Sequence, residues 1–155
     1  MDFLDKQILT QLQRDSSISM AEISESVGLS ATPCWRRIKK LEEDGVINRR
    51  VALADAEKLN LNLTAFVAVK TAQHSESWLV TFANRIQRIP EVIELHRMSG
   101  DIDYLMKVVC PDMTHFDQVY KKLITLAEFS DVRSTFSMEQ LKQTTELPLD
   151  YIALD

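Results

Sequence analysis

A cluster of cationic and hydroxyl side chains lies between residues 30 and 50 of the chain. From Cys34 to Arg50 there are six basic residues and three acidic ones, so this window has a net charge of +3. Arginine and lysine neutralise phosphates and bind guanine edges, while hydroxyl groups and helix N-terminal amides also contact phosphates. The cluster therefore predicts a nucleic-acid contact. Its ten candidate residues are Ser30, Thr32, Pro33, Trp35, Arg36, Arg37, Lys39, Lys40, Arg49 and Arg50.

A second candidate site surrounds Gly100 in the segment Met98–Tyr104. Gly100 offers open backbone, and Asp101 and Asp103 offer carboxylates that can accept hydrogen bonds from the ammonium group of an amino acid. The same residues are also typical of a tight turn between two strands, because Gly and Asp are favoured in turns. Both interpretations stay open at the level of the sequence.

Residues suited to catalysis or metal binding do not form a pattern. His74, His96 and His115 lack metal-ligand spacing to one another and to the two cysteines. There is no glycine-rich phosphate loop and no nucleophile motif. The sequence therefore predicts no enzyme activity, no metal and no cofactor.

The charge of the whole chain points away from the function that the basic cluster suggests. The 155 residues include 18 basic and 23 acidic side chains, and a net charge of −5 argues against a nucleic-acid partner. Residues 1–50, however, contain eight of each kind, so the acidity belongs to residues 51–155. Local charge is more informative than the total, and the chain reads as two units of different character.

The first fifty residues have the signals of three helices. Asp2 is placed to cap the first helix, and Ser19 and Glu22 form a capping box at the start of the second. Gly28 supplies a left-handed turn residue, and a longer basic helix runs from Ser30 to Gly45. Two helices joined by a short turn predict a helix-turn-helix.

The faces of the third helix are predicted from its helical period. At 100° per residue, Cys34, Ile38 and Leu41 share a buried face, and most of the basic residues face solvent. Beyond Gly45 the chain reads as short extended segments, with Arg49 and Arg50 at a wing-like turn. The basic face alone could be only a solvated helix surface, but the capped helix and the turn before it favour DNA binding.

From Leu63 onward the pattern alternates between strands and helices. The predicted strands are Leu63–Thr71, Val92–Ser99, Asp103–Cys110 and Val132–Met138, and the predicted helices are Glu76–Ile89 and one from the cap Asp112 to Ala127. The order βαββαβ is that of a ferredoxin-like domain. The expected fold class is α+β, with a winged helix-turn-helix at 1–50, a linker at 51–62, the βαββαβ domain at 63–145 and a tail at 146–155.

Two strands predict that the protein pairs with a second copy. Ala65–Val69 and Tyr104–Met106 are apolar on both faces, but this topology covers one face of the sheet with helices. A second copy would cover the other face, so a homodimer is expected.

The expected location is the cytoplasm. The first residues contain no secretory signal pattern, and the longest uncharged apolar stretch, Leu59–Val69, has eleven residues. A membrane-spanning helix needs about twenty. No membrane partner is therefore expected.

Three segments of the chain are informative together: Leu4–Leu9, Gly28–Ile47 and Gly100–Tyr104. They resemble motifs of the Lrp/AsnC (leucine-responsive and asparagine regulator) family of bacterial transcription factors. The resemblance extends over nearly the whole chain. It implies an N-terminal winged helix-turn-helix that binds double-stranded DNA and a C-terminal domain for effector binding and oligomerisation. At Asn48-Arg49-Arg50 the chain departs from the usual Gly-Tyr of the wing.

The resemblance also implies how the second unit works. Family members form dimers through their sheets and often assemble to octamers, and their usual effectors are free amino acids bound between dimers. Carried onto this sequence, the effector residues are Met98, Gly100, Asp101, Asp103, Tyr104, Thr135 and Ser137. The expected function is a DNA-binding transcriptional regulator that responds to an amino acid. The alternatives are an amino-acid-sensing module without DNA function and, as a third class, a small enzyme.

Overall fold

The computed structural model describes residues 1–153 and divides the chain into two compact units. Unit 1 consists of Met1–Leu53 together with the chain from Lys142 onward, and unit 2 is Ala54–Leu141. The finer boundaries predicted at 50, 62 and 145 remain predictions. The predicted tail 146–155 includes Leu154 and Asp155, which lie outside the described residues.

Unit 1 begins with three helices, as its start signals predict. They are α1 (Phe3–Arg14), α2 (Met20–Ser26) and α3 (Ala31–Glu43). Both predicted caps are confirmed, and each is a complete capping box: Asp2 with Asp5 on α1, and Ser19 with Glu22 on α2. Side chains near the helix starts thereby satisfy amides that the helices leave free.

The helix-turn-helix geometry depends on the turn between α2 and α3. Gly28 adopts φ +68°, and the amide of Leu29 donates to the carbonyl of Ser24 at 2.9 Å. The positive φ suits glycine, which has no Cβ to clash in the left-handed region. The turn lets α3 pack on the first two helices.

The predicted buried face of α3 is confirmed. Cys34, Ile38 and Leu41 lie in one cluster with apolar residues of α1 and α2, and all three are at most 3% exposed. Burial raises the pKa of the Cys34 thiol, so this cysteine behaves as a small apolar core residue.

The chain after α3 is irregular. Residues 44–62 contain no strand, so the predicted extended segments near Val46 and Val51 do not pair with other described residues. Val51 and Leu53 are more than half exposed. A short turn at 55–60 then leads into unit 2.

Unit 2 has the predicted βαββαβ order. Its elements are β1 (Leu63–Lys70), α4 (Glu76–Ile86), β2 (Val92–Arg97), β3 (Tyr104–Cys110), α5 (Met113–Leu126) and β4 (Asp131–Phe136). The sheet order is β2-β3-β1-β4, and every neighbouring pair is antiparallel. This topology confirms the ferredoxin-like fold.

The differences from the predicted elements lie at their ends. The last regular residue of α4 is Ile86 rather than Ile89, because the ring of Pro90 disfavours helical backbone at the residue before it. The strand β2 ends at Arg97 rather than Ser99, and the amide of Met98 donates to the carbonyl of Asp103 at 2.8 Å. That hydrogen bond closes the turn between β2 and β3.

The core of unit 2 lies between the sheet and its two helices. Alternate residues of β1 and β3 face the helices, and Ala65, Val67, Met106 and Val108 are fully buried. Phe82 of α4 anchors an aromatic group with Trp78, Tyr104 and Phe129. Aromatic pairs at such centroid distances stabilise a core beyond the area that they bury.

Within the described residues of unit 2, no helix covers the opposite face of the sheet. Phe66 is 39% exposed, and Ala68, Leu105 and Val109 are partly exposed on the same side. These positions alternate with the core residues, as a strand period of two requires. The expectation that the strands are apolar on both faces is therefore met at these positions.

None of the helices within residues 1–153 has the length and apolar content needed to cross a membrane.

Candidate nucleic-acid interface and effector site

The N-terminus of α3 presents polar groups that its own helix leaves unused. Ser30 is the N-cap residue, but its side chain makes no capping hydrogen bond. Thr32 and Pro33 are exposed in the first turn, and Trp35 is 50% exposed. A helix N-terminus with free amides and hydroxyls is suited to bind a phosphate.

The six basic residues of the cluster differ in what they contact. Arg36 and Arg49 are exposed and make no hydrogen bond or ion pair within residues 1–153. Arg37 instead points to α1, where its Nη1 lies 2.7 Å from Asp5 Oδ1 and 2.8 Å from Asp2 Oδ2. Its guanidinium is thus engaged in holding α3 to α1, while Arg36 is available to an external ligand.

The ion pairs of Arg37 shift both its own pKa and the pKa of Asp2. The hydrogen bond that Arg37 donates to the Asp5 carboxylate is the largest cause that raises the pKa of Arg37, and the pKa of Asp2 is lowered first by the backbone amide of Asp5 and then by Arg37. Each charge therefore stabilises the other across the two helices.

The other three cations form exposed ion pairs. Lys39 and Arg50 both contact Glu42, at 2.7 Å and 3.0 Å, and Lys40 contacts Asp44 at 3.1 Å. The pKa of Glu42 is lowered mainly by its hydrogen bond from Lys39. Exposed pairs of this kind are weak, about 0–1 kcal/mol each. These side chains can therefore exchange a carboxylate for a phosphate at small cost.

The segment Met98–Tyr104 is the turn between β2 and β3, so the turn interpretation is confirmed. Gly100 has φ +115°, a backbone conformation that L residues rarely adopt. Met98 is 38% exposed, and the side chain of Asp101 is 94% exposed with Lys70 Nζ at 3.6 Å. Gly100 and Asp101 therefore remain accessible to a ligand.

Asp103 and Tyr104 have structural partners instead. The Asp103 carboxylate accepts a 2.8 Å hydrogen bond from the amide of Thr71, and its own amide donates to the carbonyl of Val69 at 3.0 Å. Tyr104 is 4% exposed, and its ring lies 5.2 Å from that of Phe82. These contacts tie the end of β1 to the start of β3.

Lys70 and Thr71 contact the two carboxylates of the candidate effector turn, and the sequence did not single them out. Both follow from topology, because a ferredoxin-like order puts the end of β1 beside the start of β3. Reading the strand order onto the sequence would have found them.

Thr135 and Ser137 are exposed but lie away from the Gly100 turn within one chain. Thr135 pairs with Phe66, about 10 Å along β1 from Val69, and the amide of Ser137 donates to Thr64, about 17 Å from it. One chain therefore does not bring the predicted effector residues into a single cluster.

The histidines do not assemble with other ligands. His96 lies 3.1 Å from Glu94, and His115 lies 2.9 Å from Asp112, all with exposed side chains. Across the described part of the chain, no group of three or more His, Cys, Asp or Glu residues could hold a metal ion.

Comparison with protein families assigns both units. The family model described as "Lrp/AsnC ligand binding domain" matches residues 64–147. The model described as "Winged helix-turn-helix DNA-binding" matches residues 1–48.

Full-length relatives agree with these matches. The chain is 48% identical over 149 residues to the glutamate uptake regulatory protein of Zymomonas mobilis, covering 96% of this chain and 91% of the relative. An AsnC family transcriptional regulator from Agrobacterium tumefaciens has a crystal structure with TM-score 0.95 and 55% identity, covering 99% of this chain and 100% of that one. A transcriptional regulator from Neisseria meningitidis, solved as a complex with L-Met, has TM-score 0.91 and 34% identity, with 97% of each chain covered.

Proposed function

The chain belongs to the Lrp/AsnC family of transcriptional regulators, and from this premise we propose how its two units divide the work. Unit 1 binds duplex DNA through α3, and unit 2 binds a free amino acid that adjusts DNA binding. The protein is a DNA-binding transcriptional regulator and not an enzyme. The alternative of a sensing module without DNA function is not favoured, because a DNA-binding family model matches residues 1–48.

The free guanidinium of Arg36 on the exposed face of α3 supports the DNA-binding proposal most directly. In a helix-turn-helix, the N-terminal part of the second helix enters the major groove, where an arginine can bind guanine O6 and N7. Ser30 and Thr32 would contact phosphates beside it, and Arg49 would reach the backbone from beyond the helix. Trp35 adds an apolar surface next to these polar groups.

A second copy is part of the proposal. The uncovered sheet face with Phe66, Leu105 and Val109 supports a homodimer, because apolar side chains on an open face gain stability when a second sheet covers them. Two copies of α3 would then read two half-sites spaced by one helical turn or a multiple of it. Further assembly of such dimers, up to an octamer, is the family pattern that we extend to this chain.

The proposed effector is a free amino acid bound at the Gly100 turn. The Neisseria relative is a complex with L-Met, and unit 2 carries the ligand-binding domain of the family. Gly100 and Asp101 are exposed in the turn, and we assign the carboxylate of Asp101 to the ammonium group of the ligand. Thr135 and Ser137 would contribute from a neighbouring copy.

Regulation would follow from linkage between the two sites. An amino acid that binds one arrangement of dimers better shifts the protein toward it, and bound DNA must change amino-acid affinity by the same factor. A regulator works in the compartment that holds its DNA, which for bacterial relatives is the cytoplasm.

The test measures binding to duplex fragments from the region upstream of the protein's own gene. Fluorescence anisotropy of a labelled fragment should show an affinity that falls steeply as salt rises, because phosphate contacts release counterions. A variant with both Arg36→Ala and Arg49→Ala should bind more weakly and with a shallower salt slope. A matched variant, Lys121→Ala on α5, should bind like the wild type. Absence of binding at low salt would contradict the proposal.

The amino-acid part is tested separately. A thermal-shift screen over the twenty amino acids should find at least one that raises the melting temperature, since a ligand that binds the folded state stabilises it. The shift should be lost in Asp101→Ala. A screen in which no amino acid changes the melting temperature would remove the effector from the proposal and leave DNA binding intact.

A further inference from the structure

The C-terminal part of the chain returns to the DNA-binding unit and lies along α1. The side-chain amide of Gln13 makes two hydrogen bonds to the main chain of Leu147: Nε2 donates to the carbonyl at 3.2 Å, and Oε1 accepts from the amide at 2.7 Å. One side chain thereby satisfies both main-chain polar groups of Leu147. The contact fixes the register of the segment on the helix.

Charged and apolar contacts extend this register in both directions. Lys6 Nζ lies 2.8 Å from Asp150, and Arg14 Nε lies 3.1 Å from Glu146. Leu149 and Ile152 are partly buried against the core of unit 1. Lys6 and Gln13 are seven positions apart, which puts them on one face of α1. Opposite charges and an apolar side thus match along the whole contact.

The same segment is joined directly to the sheet of unit 2. The strand β4 ends at Phe136, and only residues 137–141 separate it from Lys142, where the chain enters unit 1. The chain also passes between the units once before, after Leu53. A docked C-terminal segment is therefore a second covalent connection between the effector domain and the DNA-binding unit.

We propose that residues 142–152 form a strap that transmits conformational changes at the C-terminal end of β4 to α1. From α1 these changes reach the recognition helix α3. The last step runs through the ion pairs of Arg37 on α3 with Asp2 and Asp5 at the start of α1. This proposal rests on the proposed function only in assuming that the regulated activity is DNA binding. The docking of the strap on α1 and its connection to β4 do not depend on that function.

The strength of the contact suits a strap that can detach. Its ion pairs are exposed, with Asp150 87% and Arg14 61% exposed, so each contributes little on its own. An open cleft of about 720 Å³ lies between α1, residues 46–53 and the strap. A segment held by a few exposed contacts over an open cleft opens more readily than the helical core beneath it.

The docking itself is tested by hydrogen exchange on the full-length protein without DNA or amino acids. In a strap variant with Gln13→Ala and Leu149→Ser, amides in the middle of α1 should exchange about tenfold faster than in the wild type, while β1 and β3 stay unchanged. The matched variant carries Gln11→Ala on α1 and Leu141→Ser, which is 87% exposed. Equal exchange of α1 in the two variants would overturn the strap.

Transmission is tested by adding Phe136→Leu to both backgrounds. Phe136 is the last residue of β4, and its ring packs on Phe116 at a centroid distance of 5.0 Å. With the strap intact, the change should speed exchange of α1 amides. In the strap variant, Phe136→Leu should not raise the exchange rate of the α1 amides further. Transmission would be overturned if Phe136→Leu raised the exchange rate of the α1 amides by the same factor with and without the strap contacts. It would also be overturned if Phe136→Leu had no effect with the strap intact. Phe136→Ala repeats the test with a larger perturbation.

Neither experiment uses DNA or an effector, so their outcome is independent of the proposed function. A protein that fails to bind DNA can still show strap coupling, and a regulator that binds DNA can still lack it.

Discussion

The exposed face of α3 and the Gly100 turn are two candidate binding sites. A single chain brings together the candidate DNA-binding groups on α3, but only some of the candidate effector residues at the turn. On α3, Arg36 makes no hydrogen bond or ion pair within residues 1–153 and Ser30 makes no capping bond, so the groups that we propose for DNA binding are not engaged by the chain. At the turn, Asp103 and Tyr104 are occupied by structural contacts, whereas Met98, Gly100 and Asp101 are exposed. The proposed DNA surface is therefore preformed in one chain, and the proposed effector site is only partly assembled.

The difference has a geometric cause. A helix presents several side chains on one face of a single element, so one short segment is enough for a binding surface. A site at the edge of a sheet collects residues from separate strands, and here Thr135 and Ser137 lie toward the other end of β1. The proposed symmetric assembly would bring such distant surfaces of two copies together.

The largest expected effect is a loss of stability at Tyr104. It tests whether this residue acts in the core of unit 2 or in the effector site. Tyr104→Ala should destabilise unit 2 by about 3–5 kcal/mol, the cost of removing a buried aromatic ring. Thermal or denaturant unfolding followed by circular dichroism measures this loss. The matched change Tyr104→Phe keeps the ring and should be nearly neutral. If Tyr104→Phe abolished amino-acid binding at unchanged stability, the hydroxyl would belong to the site.

The next effect tests whether the α3 surface is preformed. Arg36→Ala should weaken binding to specific DNA by about 1–3 kcal/mol, because a free guanidinium that reads a base is lost. Anisotropy titrations against an operator fragment and a scrambled duplex measure the loss of discrimination. An unchanged affinity and footprint would remove Arg36 from the interface.

Arg37 provides the matched comparison for Arg36, because the two residues are neighbours with different contacts. Arg37→Ala should lower the melting temperature of unit 1, since it leaves Asp2 and Asp5 without their cation. The salt slope of DNA binding should stay close to the wild-type slope. A drop in slope equal to that of Arg36→Ala would show that Arg37 also contacts phosphate.

A smaller effect separates the two carboxylates of the turn. Asp103→Ala should cost about 1 kcal/mol of stability, because the amide of Thr71 loses its acceptor. Asp101→Ala should leave stability unchanged, since its side chain is 94% exposed, and should weaken amino-acid binding in the thermal-shift assay. Equal stability losses would contradict the division between a structural and a ligand-binding carboxylate.

The smallest effect concerns acid pH and the start of α2. The pKa of Glu22 is below its ordinary value of 4.5 because the hydroxyl and then the amide of Ser19 donate to its carboxylate. A lowered folded-state pKa means that this stabilisation is complete above pH 4.5 and is lost as the pH falls through the folded-state value. Helical content of unit 1 should therefore decline below about pH 4.5.

The control for this pH effect is Glu22→Gln, which keeps a capping acceptor but does not titrate. Circular dichroism between pH 6 and pH 3 should show a smaller change for this variant than for the wild type. Identical curves would assign the acid transition to other carboxylates, such as Asp112 at the start of α5, whose pKa is also lowered, chiefly by the amide of His115.

Most of the fold was predictable because its signals are local. The capping boxes at Asp2 and Ser19 and the turn at Gly28 each span a few residues, and the buried positions of α3 follow one helical period. Errors appear where backbone hydrogen bonds end, as at Ile86 and Arg97. Element ends depend on small differences between competing hydrogen bonds, which residue types alone do not decide.

The site was predictable in part. The spacing placed Arg36 on the solvent face of α3, but it could not tell that the adjacent Arg37 contacts α1. It marked Gly100 and Asp101 as a turn with open groups, but it did not identify Thr71 as the partner of Asp103. A flanking side chain on a helix reaches either solvent or a neighbouring helix, and the fold decides which.

The sequence by itself determined the elements, the basic face of α3 and the family resemblance, because those signals repeat over a few residues. The tertiary structure decided which charged side chains already have a partner within the chain. Arg37 and Asp5 are 32 positions apart, as are Thr71 and Asp103, and Leu147 is 134 positions from Gln13. Such pairs form only when folding brings distant segments together, so their partners follow from the packing of the elements and not from local sequence.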